Sequence, residues 1–392
     1  MKRPALESPL AAQLGLPPFR ERFPWWGADL QTLHDTLRPA ELAPEQGQPV
    51  LTDLDQGDRL LSMLDLPQAL GSDRASGPHE IASDALDRAR ALVVVLHGLG
   101  GSSQAIGVRR LAQLLQRNGF AVLRPNLRGA GPSRPLARGS YAAQCNRDLL
   151  PLLAQARRLA AGRPLLAVGL SLGGTVLLNG CLAQDSIGSP ASSPPALPLL
   201  DGLACVSSPL DLVACSAQID QPRNRLYQRW LLQRLHRQIQ HDPFDALERP
   251  HTGPELSAQE PPGRGTALGV GQAATIRSFD AQITAPRWGY DSVDAYYAEA
   301  SPLRRLLLRA QARKPLLPAS LWLHASDDPW VPVCGTQGLA AALANQQSPA
   351  ASVLITACGG HNGFHGHSDP RWASWSDRLV LAWLGQLVGR PD

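Results

Sequence analysis

Apolar positions in this chain gather into short unbroken runs more often than they alternate with polar ones. Residues 91–96, 120–124, 164–168, 202–206, 319–324 and 352–356 are each of strand length and dominated by Val, Leu, Ile and Ala. Runs of that kind belong to strands buried on both faces. One further strand is expected within 58–70. Elsewhere the period becomes helical. Leu111 to Arg117 ends at Asn118-Gly119, and Arg223 to Gln240 is read as a helix with Leu226, Trp230, Leu231 and Leu235 on one side. Strands and helices in alternation predict an α/β domain, with a mostly parallel central sheet and helices on both faces.

After Ser207-Ser-Pro-Leu210 the alternation stops for about a hundred residues and resumes at 319. A block inserted between two core strands predicts a helical cap. The layout is therefore an N-terminal extension over 1–60, a core over 61–208, a cap insertion over 209–315 and the rest of the core over 316–392. Two adjacent tryptophans, Trp25 and Trp26, predict that the extension docks on the core as an arm. The Ser/Pro-rich segment 184–200 and the Pro/Gly-rich segment 248–272 read as surface loops. The cap aromatics Trp230, Phe244, Phe279, Trp288, Tyr290, Tyr296 and Tyr297 read chiefly as packing that holds the cap together, with an acyl pocket as the alternative use.

Bulk properties narrow the function classes. The net charge is +4, and the arginines are spread along the chain without a basic stripe, which argues against nucleic-acid binding. No stretch of about twenty uncharged apolar residues exists, so a spanning helix is not expected, and the start lacks the apolar segment of an export signal. Peripheral membrane contact through apolar cap surfaces stays open. The six cysteines are scattered without metal-site spacing and read as buried free thiols of a protein kept in a reducing cytoplasm.

The candidate chemistry sits at the ends of the apolar runs. Gly169-Leu-Ser-Leu-Gly173 follows the run at 164–168, and Thr175 to Leu178 opens a helical stretch after it. A strand, a turn with glycines flanking a serine and a helix is the arrangement that exposes Ser171 as a nucleophile. Such a serine needs a histidine to take its proton and a carboxylate to orient that histidine. The run at 319–324 leads into Asp327-Asp328-Pro329 and Val331-Pro332, and the last run leads into Gly359-Gly-His361. Asp328 is the expected acid, because its distance to Val331-Pro332 fits better and Pro329 stiffens it, with Asp327 as the alternative. His361, on a Gly-rich loop after the last strand, is the expected base. His97-Gly-Leu-Gly-Gly101 follows the run at 91–96, and a turn of that kind frees backbone N–H groups to face a developing oxyanion. The Leu99 and Leu172 amides are the expected donors, and His97 is expected to be structural. His361, His365 and His367 could be mistaken for a metal cluster, but the interleaved glycines argue against the helix that such spacing requires. No metal and no cofactor is implied.

These residues resemble the YheT-like (AB-hydrolase 4) group of the α/β-hydrolase superfamily. The resemblance rests on Pro17-Pro-Phe-Arg20, Leu30-Gln-Thr-Leu33, Asn126-Leu-Arg-Gly129 and Gly169 to Gly174, with Arg277-Ser-Phe-Asp280, Tyr296-Tyr297, Asp327-Asp-Pro329 and Gly360-His-Asn-Gly-Phe364. It covers nearly the whole chain, departing at Gly27-Ala-Asp29 and at the 184–200 segment. What it implies is an α/β-hydrolase fold and serine esterase or lipase activity on a small-molecule or lipid-like carboxylic ester. Acyl transfer by the same residues is one alternative, and a non-catalytic binding protein on the same scaffold is another.

Overall fold

The structure is a computed structural model that describes residues 9–67, 86–183, 199–244, 273–312, 317–344 and 350–389. Among these residues, eight strands form one sheet in the order β1-β2-β4-β3-β5-β6-β7-β8. They are β1 (Gln48–Asp53), β2 (Arg59–Asp65), β3 (Leu92–Leu96), β4 (Ala121–Pro125), β5 (Leu165–Leu170), β6 (Gly202–Val206), β7 (Ala319–Ala325) and β8 (Ala351–Thr356). Pairing is antiparallel for β1 with β2 and β2 with β4, and parallel from β4 through β8. The chain order reverses on either side of β3, so the loops after β3 and β5 meet at the carboxyl ends of neighbouring strands. In open α/β sheets this switch point is where sites form.

The apolar runs become the central strands because each feeds two cores at once. Successive strand side chains point to opposite faces. Leu92, Val94 and Leu96 enter one cluster, and Val93 and Val95 enter the other. Leu165 and Ala167 divide from Leu166 and Val168 in the same way. The helices over the two faces include α2 (Ile106–Arg117), α3 (Asn146–Ala160), α4 (Leu172–Ala183) and the final α10 (Trp375–Leu387). Ser374 opens α10 with a capping box, its side chain accepting from the Asp377 N–H while Asp377 accepts from the Ser374 N–H.

Three features differ from the sequence reading. The sheet begins inside the expected extension, because β1 pairs along its whole length with β2. The arm proper carries α1 (Ala28–Leu37). Trp25 packs against His34, but Trp26 is 59% exposed. The thiols also differ: Cys145, Cys181 and Cys205 are buried, whereas Cys334 at the start of α9 (Cys334–Ala344) is exposed.

Between β6 and β7 the chain leaves the sheet and forms α5 (Leu212–Ile219), α6 (Arg225–Gln240), α7 (Val293–Ala300) and α8 (Leu303–Gln311). Leu231, Leu232, Leu235 and Ile239 of α6 pack with Ile276 and Phe279 in a separate apolar cluster that reaches Leu99. Leu226 is 79% exposed and does not share that face. Nine residues at ~100° each put it half a turn away from Leu235. The segments 184–198 and 245–272, which hold most of the two expected surface loops, lie outside the described residues.

Candidate active site

Ser171 stands between the end of β5 and the start of α4 with φ 54°, in the left-handed region that residues with side chains seldom adopt. The backbone can make this turn only where neighbours lack a Cβ. A Cβ on Gly169 would fall 2.2 Å from the Gly174 Cα, and one on Gly173 would fall 2.4 Å from the Leu96 carbonyl oxygen. The Ser171 N–H donates to the Val206 carbonyl at 2.8 Å, which fixes the turn to β6. The hydroxyl is thereby raised above the carboxyl end of the sheet.

His361 arrives on the loop after β8. Its Nε2 lies 2.9 Å from Ser171 Oγ, and its Nδ1 lies 2.8 Å from Asp328 Oδ2. An ionised carboxylate only accepts, so Nδ1 carries the proton and Nε2 is left to accept from the serine hydroxyl. Asp328 sits on the turn after β7, where its Oδ1 accepts the N–H groups of Trp330 (2.8 Å) and Val331 (2.9 Å). Burial pushes the Asp328 carboxyl up, yet the interactions with His361 and His324 outweigh it and hold this group well below the usual carboxylate range. Asp327 faces elsewhere, its Oδ1 accepting the Gly360 N–H at 3.0 Å. The two adjacent carboxylates thus divide, one holding the ring of His361 and the other the loop that carries it.

The 97–101 turn lies against the serine. A Cβ on Gly98 would come 2.9 Å from Ser171 Cβ, which places the Leu99 amide in the loop next to the hydroxyl. The Leu172 amide opens α4, in the turn where helical N–H groups have no carbonyl four residues earlier. His97 is buried, and burial lowers it to about 4. Its neutral ring braces the turn, with Nδ1 2.8 Å from the Gly98 carbonyl and Nε2 accepting from the Leu127 N–H at 3.2 Å.

Several contributors escaped the sequence reading. Trp330 lays its ring 4.5 Å from that of His361, tilted by 30°. Thr32 of the arm accepts the His361 N–H through Oγ1 at 2.9 Å. Gln31 is fully buried beside it, donating to the His365 carbonyl and accepting the His365 N–H. These residues belong to the motif Leu30-Gln-Thr-Leu33, which marked the resemblance without revealing that the arm clamps the histidine loop.

The three neighbouring histidines diverge. His361 faces the serine, His367 is exposed, and His365 stacks on His34 with ring centroids 3.4 Å apart. His34, Asp35 and His365 do bring their ligand atoms within 4.8 Å of one another. A cation shared by two stacked imidazoles would lie out of both ring planes, away from the nitrogen lone pairs, and Arg110 already pairs with Asp35.

Above Ser171 a cavity of about 300 Å³ opens between the sheet and the inserted helices. Leu231, Leu235, Ile239, Ile276 and Phe279 give it an apolar wall. Of the cap aromatics, Trp230, Phe279, Tyr296 and Tyr297 line it. Trp288 instead donates its indole N–H to the Ser140 carbonyl, and Phe244 lies under Arg138. Asp280 also faces the cavity, where burial raises it to about 6 while Thr284 and Tyr297 donate to its carboxylate. No described helix is long and apolar enough to cross a membrane.

A family model described as serine aminopeptidase, S33 matches residues 87–243. Phospholipase ABHD3 of Mus musculus is 27% identical over 300 residues, covering 76% of this chain, and the chain spans 64% of that protein's length. The putative esterase YheT of Escherichia coli is 28% identical over 292 residues, covering 74% of this chain and 76% of its own. The crystal structure of a soluble variant of monoglyceride lipase from Saccharomyces cerevisiae superposes with a TM-score of 0.51 at 14% identity, over 89% of this chain and 98% of that one. With the switch-point sheet and the serine turn, these likenesses give one conclusion: the chain has an α/β-hydrolase fold and is similar in sequence to the putative esterase YheT and to phospholipase ABHD3.

Proposed function

We propose that the protein is a serine hydrolase that cleaves carboxylic esters through an acyl-enzyme on Ser171. The observation that carries this reading is the continuous hydrogen-bonded array from Ser171 Oγ through His361 to Asp328 at the floor of an apolar cavity. The names esterase, lipase and phospholipase among the relatives support the same class.

In the proposed reaction, His361 Nε2 takes the Ser171 proton as Oγ bonds to the ester carbonyl carbon. The charge that develops on the carbonyl oxygen is stabilised by the Leu99 and Leu172 N–H groups. Asp328 holds the imidazole in the tautomer that can accept this proton and stabilises the imidazolium that results. The tetrahedral intermediate then expels the alkoxide, which takes its proton from His361. Water, deprotonated by the same nitrogen, attacks the acyl-enzyme and releases the carboxylic acid and free Ser171. The apolar cavity suits the acyl chain.

The test is turnover of p-nitrophenyl esters of increasing acyl length by the wild-type protein and by Ser171→Ala. The reading requires hydrolysis by the former and a loss of at least about 10³-fold in the latter, with the fold preserved. Equal rates in the two proteins would remove Ser171 from the chemistry. Product analysis with added alcohol separates hydrolysis from acyl transfer to that alcohol.

A further inference from the structure

Among the described residues, the cavity wall contains a cation with no carboxylate paired to it. Arg234 of α6 is half-buried and lines the same cavity as Ser171. Its Nε donates to the Gly100 carbonyl at 3.1 Å, and its guanidinium lies over the Trp230 ring, 4.6 Å from the centroid. Among the described residues no carboxylate forms an ion pair with it. The other charged groups facing this space are committed elsewhere. Arg110 pairs with Asp35 and Asp377, and Asp280 is held by Thr284 and Tyr297.

Taking a guanidinium partly out of water costs free energy that a pairing anion ordinarily offsets. Here burial lowers the Arg234 pKa, and the nearby groups acting on it are Tyr141 and a second cation, Arg237. The position is also specific. Arg234 packs directly on Gly100, since a Cβ there would lie 3.2 Å from the Arg234 Cβ, and Gly100 belongs to the turn that carries the Leu99 amide. The Gly100 N–H donates to Tyr141, which ties the same turn from the other side. A planar guanidinium held by Nε at one edge keeps its remaining N–H groups for an incoming oxyanion, and carboxylates and phosphates fit that fork.

We propose that Arg234 is a specificity-determining residue, which selects esters that carry a carboxylate or phosphate group as well as an apolar acyl part. The inference rests on the proposed ester hydrolysis at Ser171 and names a substrate class for it. The anion pairs with the guanidinium while the apolar part occupies the wall built by Leu231, Leu235 and Ile239. No bond to Arg234 is made or broken. Its contribution is charge pairing, realised as a higher kcat/KM for the anionic ester than for a neutral ester of the same size.

Matched esters test this. One pair is the mono-p-nitrophenyl ester of glutaric acid against p-nitrophenyl pentanoate, which places the anion on the acyl side. The other is butyryl glycerol 3-phosphate against monobutyryl glycerol, which places it on the alcohol side. In at least one pair, the ratio of kcat/KM for the anionic to the neutral ester should fall about 10-fold or more in Arg234→Gln, with Arg234→Lys between the two, the scale of one charge-assisted contact. The pair that responds identifies which side carries the anion. On the wild-type protein alone, KM for that anionic ester should rise with ionic strength while KM for its neutral partner stays constant. An unchanged ratio in both pairs, or a salt-independent KM for both anionic esters, would overturn the role of Arg234. If the wild-type protein hydrolyses none of the four esters and Ser171 resists a fluorophosphonate, the ester-hydrolase reading itself fails.

Discussion

Thr32 accepts the backbone N–H of His361 through its Oγ1 at 2.9 Å, across a separation of 329 residues. The N-terminal arm therefore sets the position of the loop whose imidazole faces Ser171. Thr32→Val keeps the shape of the side chain and removes the acceptor. A buried N–H left without a partner costs about 1–3 kcal/mol. If that cost falls on the loop geometry, kcat for a p-nitrophenyl ester should drop by roughly 5- to 160-fold, with KM little changed. A Thr32→Val protein with wild-type kcat would mean that the arm is decorative with respect to the site.

Asp327 and Asp328 should respond differently to the same change. In Asp328→Asn the side-chain amide can no longer favour a proton on His361 Nδ1, and the ring can turn to the wrong tautomer. Loss of kcat by about 10³- to 10⁴-fold is expected. Asp327→Asn keeps a carbonyl oxygen that can accept the Gly360 N–H, so its kcat should stay within several-fold of wild type. Measuring both variants in one assay decides between them, and the reverse order of losses would transfer the orienting role to Asp327.

How much of this was legible in the sequence follows from the range of the contacts. The Gly-Leu-Ser-Leu-Gly turn, the acid after one apolar run and the histidine after the last are local patterns, each defined by its immediate neighbours. The structure brings the His361 ring within hydrogen-bonding distance of both Ser171 and Asp328. Thr32, Gln31 and Trp330 act through partners that no local pattern specifies, and they were missed as contributors. The edge strand β1 was missed for a related reason: its pattern of mostly exposed or partly buried residues lacks an apolar run, and pairing with β2 defines it. Leu226 was placed on the wrong side of its helix although the angle per residue already separated it from Leu235. The even assignment of six buried thiols had no local signal behind it, and Cys334 lies in the open.

Asp280 gives a pH-dependent stability with a definite sign. Burial raises its carboxyl from 3.8 to about 6 in the folded protein. Between those values the folded state keeps a proton that the unfolded chain has released. Its contribution to stability is present below about pH 4 and is lost as the pH rises through 6, an effect of at most ~3 kcal/mol. Asp280→Asn removes this ionisation. Thermal midpoints of the two proteins, compared at pH 4 and pH 7, should move in favour of the Asn variant at the higher pH. A constant difference between the midpoints would show that Asp280 does not titrate in this window.

The apolar wall predicts a control of chain length. Leu235 is buried in the cap cluster and lines the cavity. Leu235→Trp adds volume there at an expected stability cost of about 1–3 kcal/mol. Within a p-nitrophenyl ester series, the optimum of kcat/KM should move to shorter acyl groups, while acetate turnover should fall least. An unchanged profile in a folded variant would place the acyl chain elsewhere.

The central claim is that Ser171 is a nucleophile activated by His361. Reaction with a fluorophosphonate, followed by intact mass and peptide mapping, tests it without assuming a substrate. One phosphonyl adduct per chain is expected on Ser171, absent from Ser171→Ala and formed far more slowly in His361→Ala. An unlabelled wild-type protein, or an adduct that persists in folded Ser171→Ala, would contradict it.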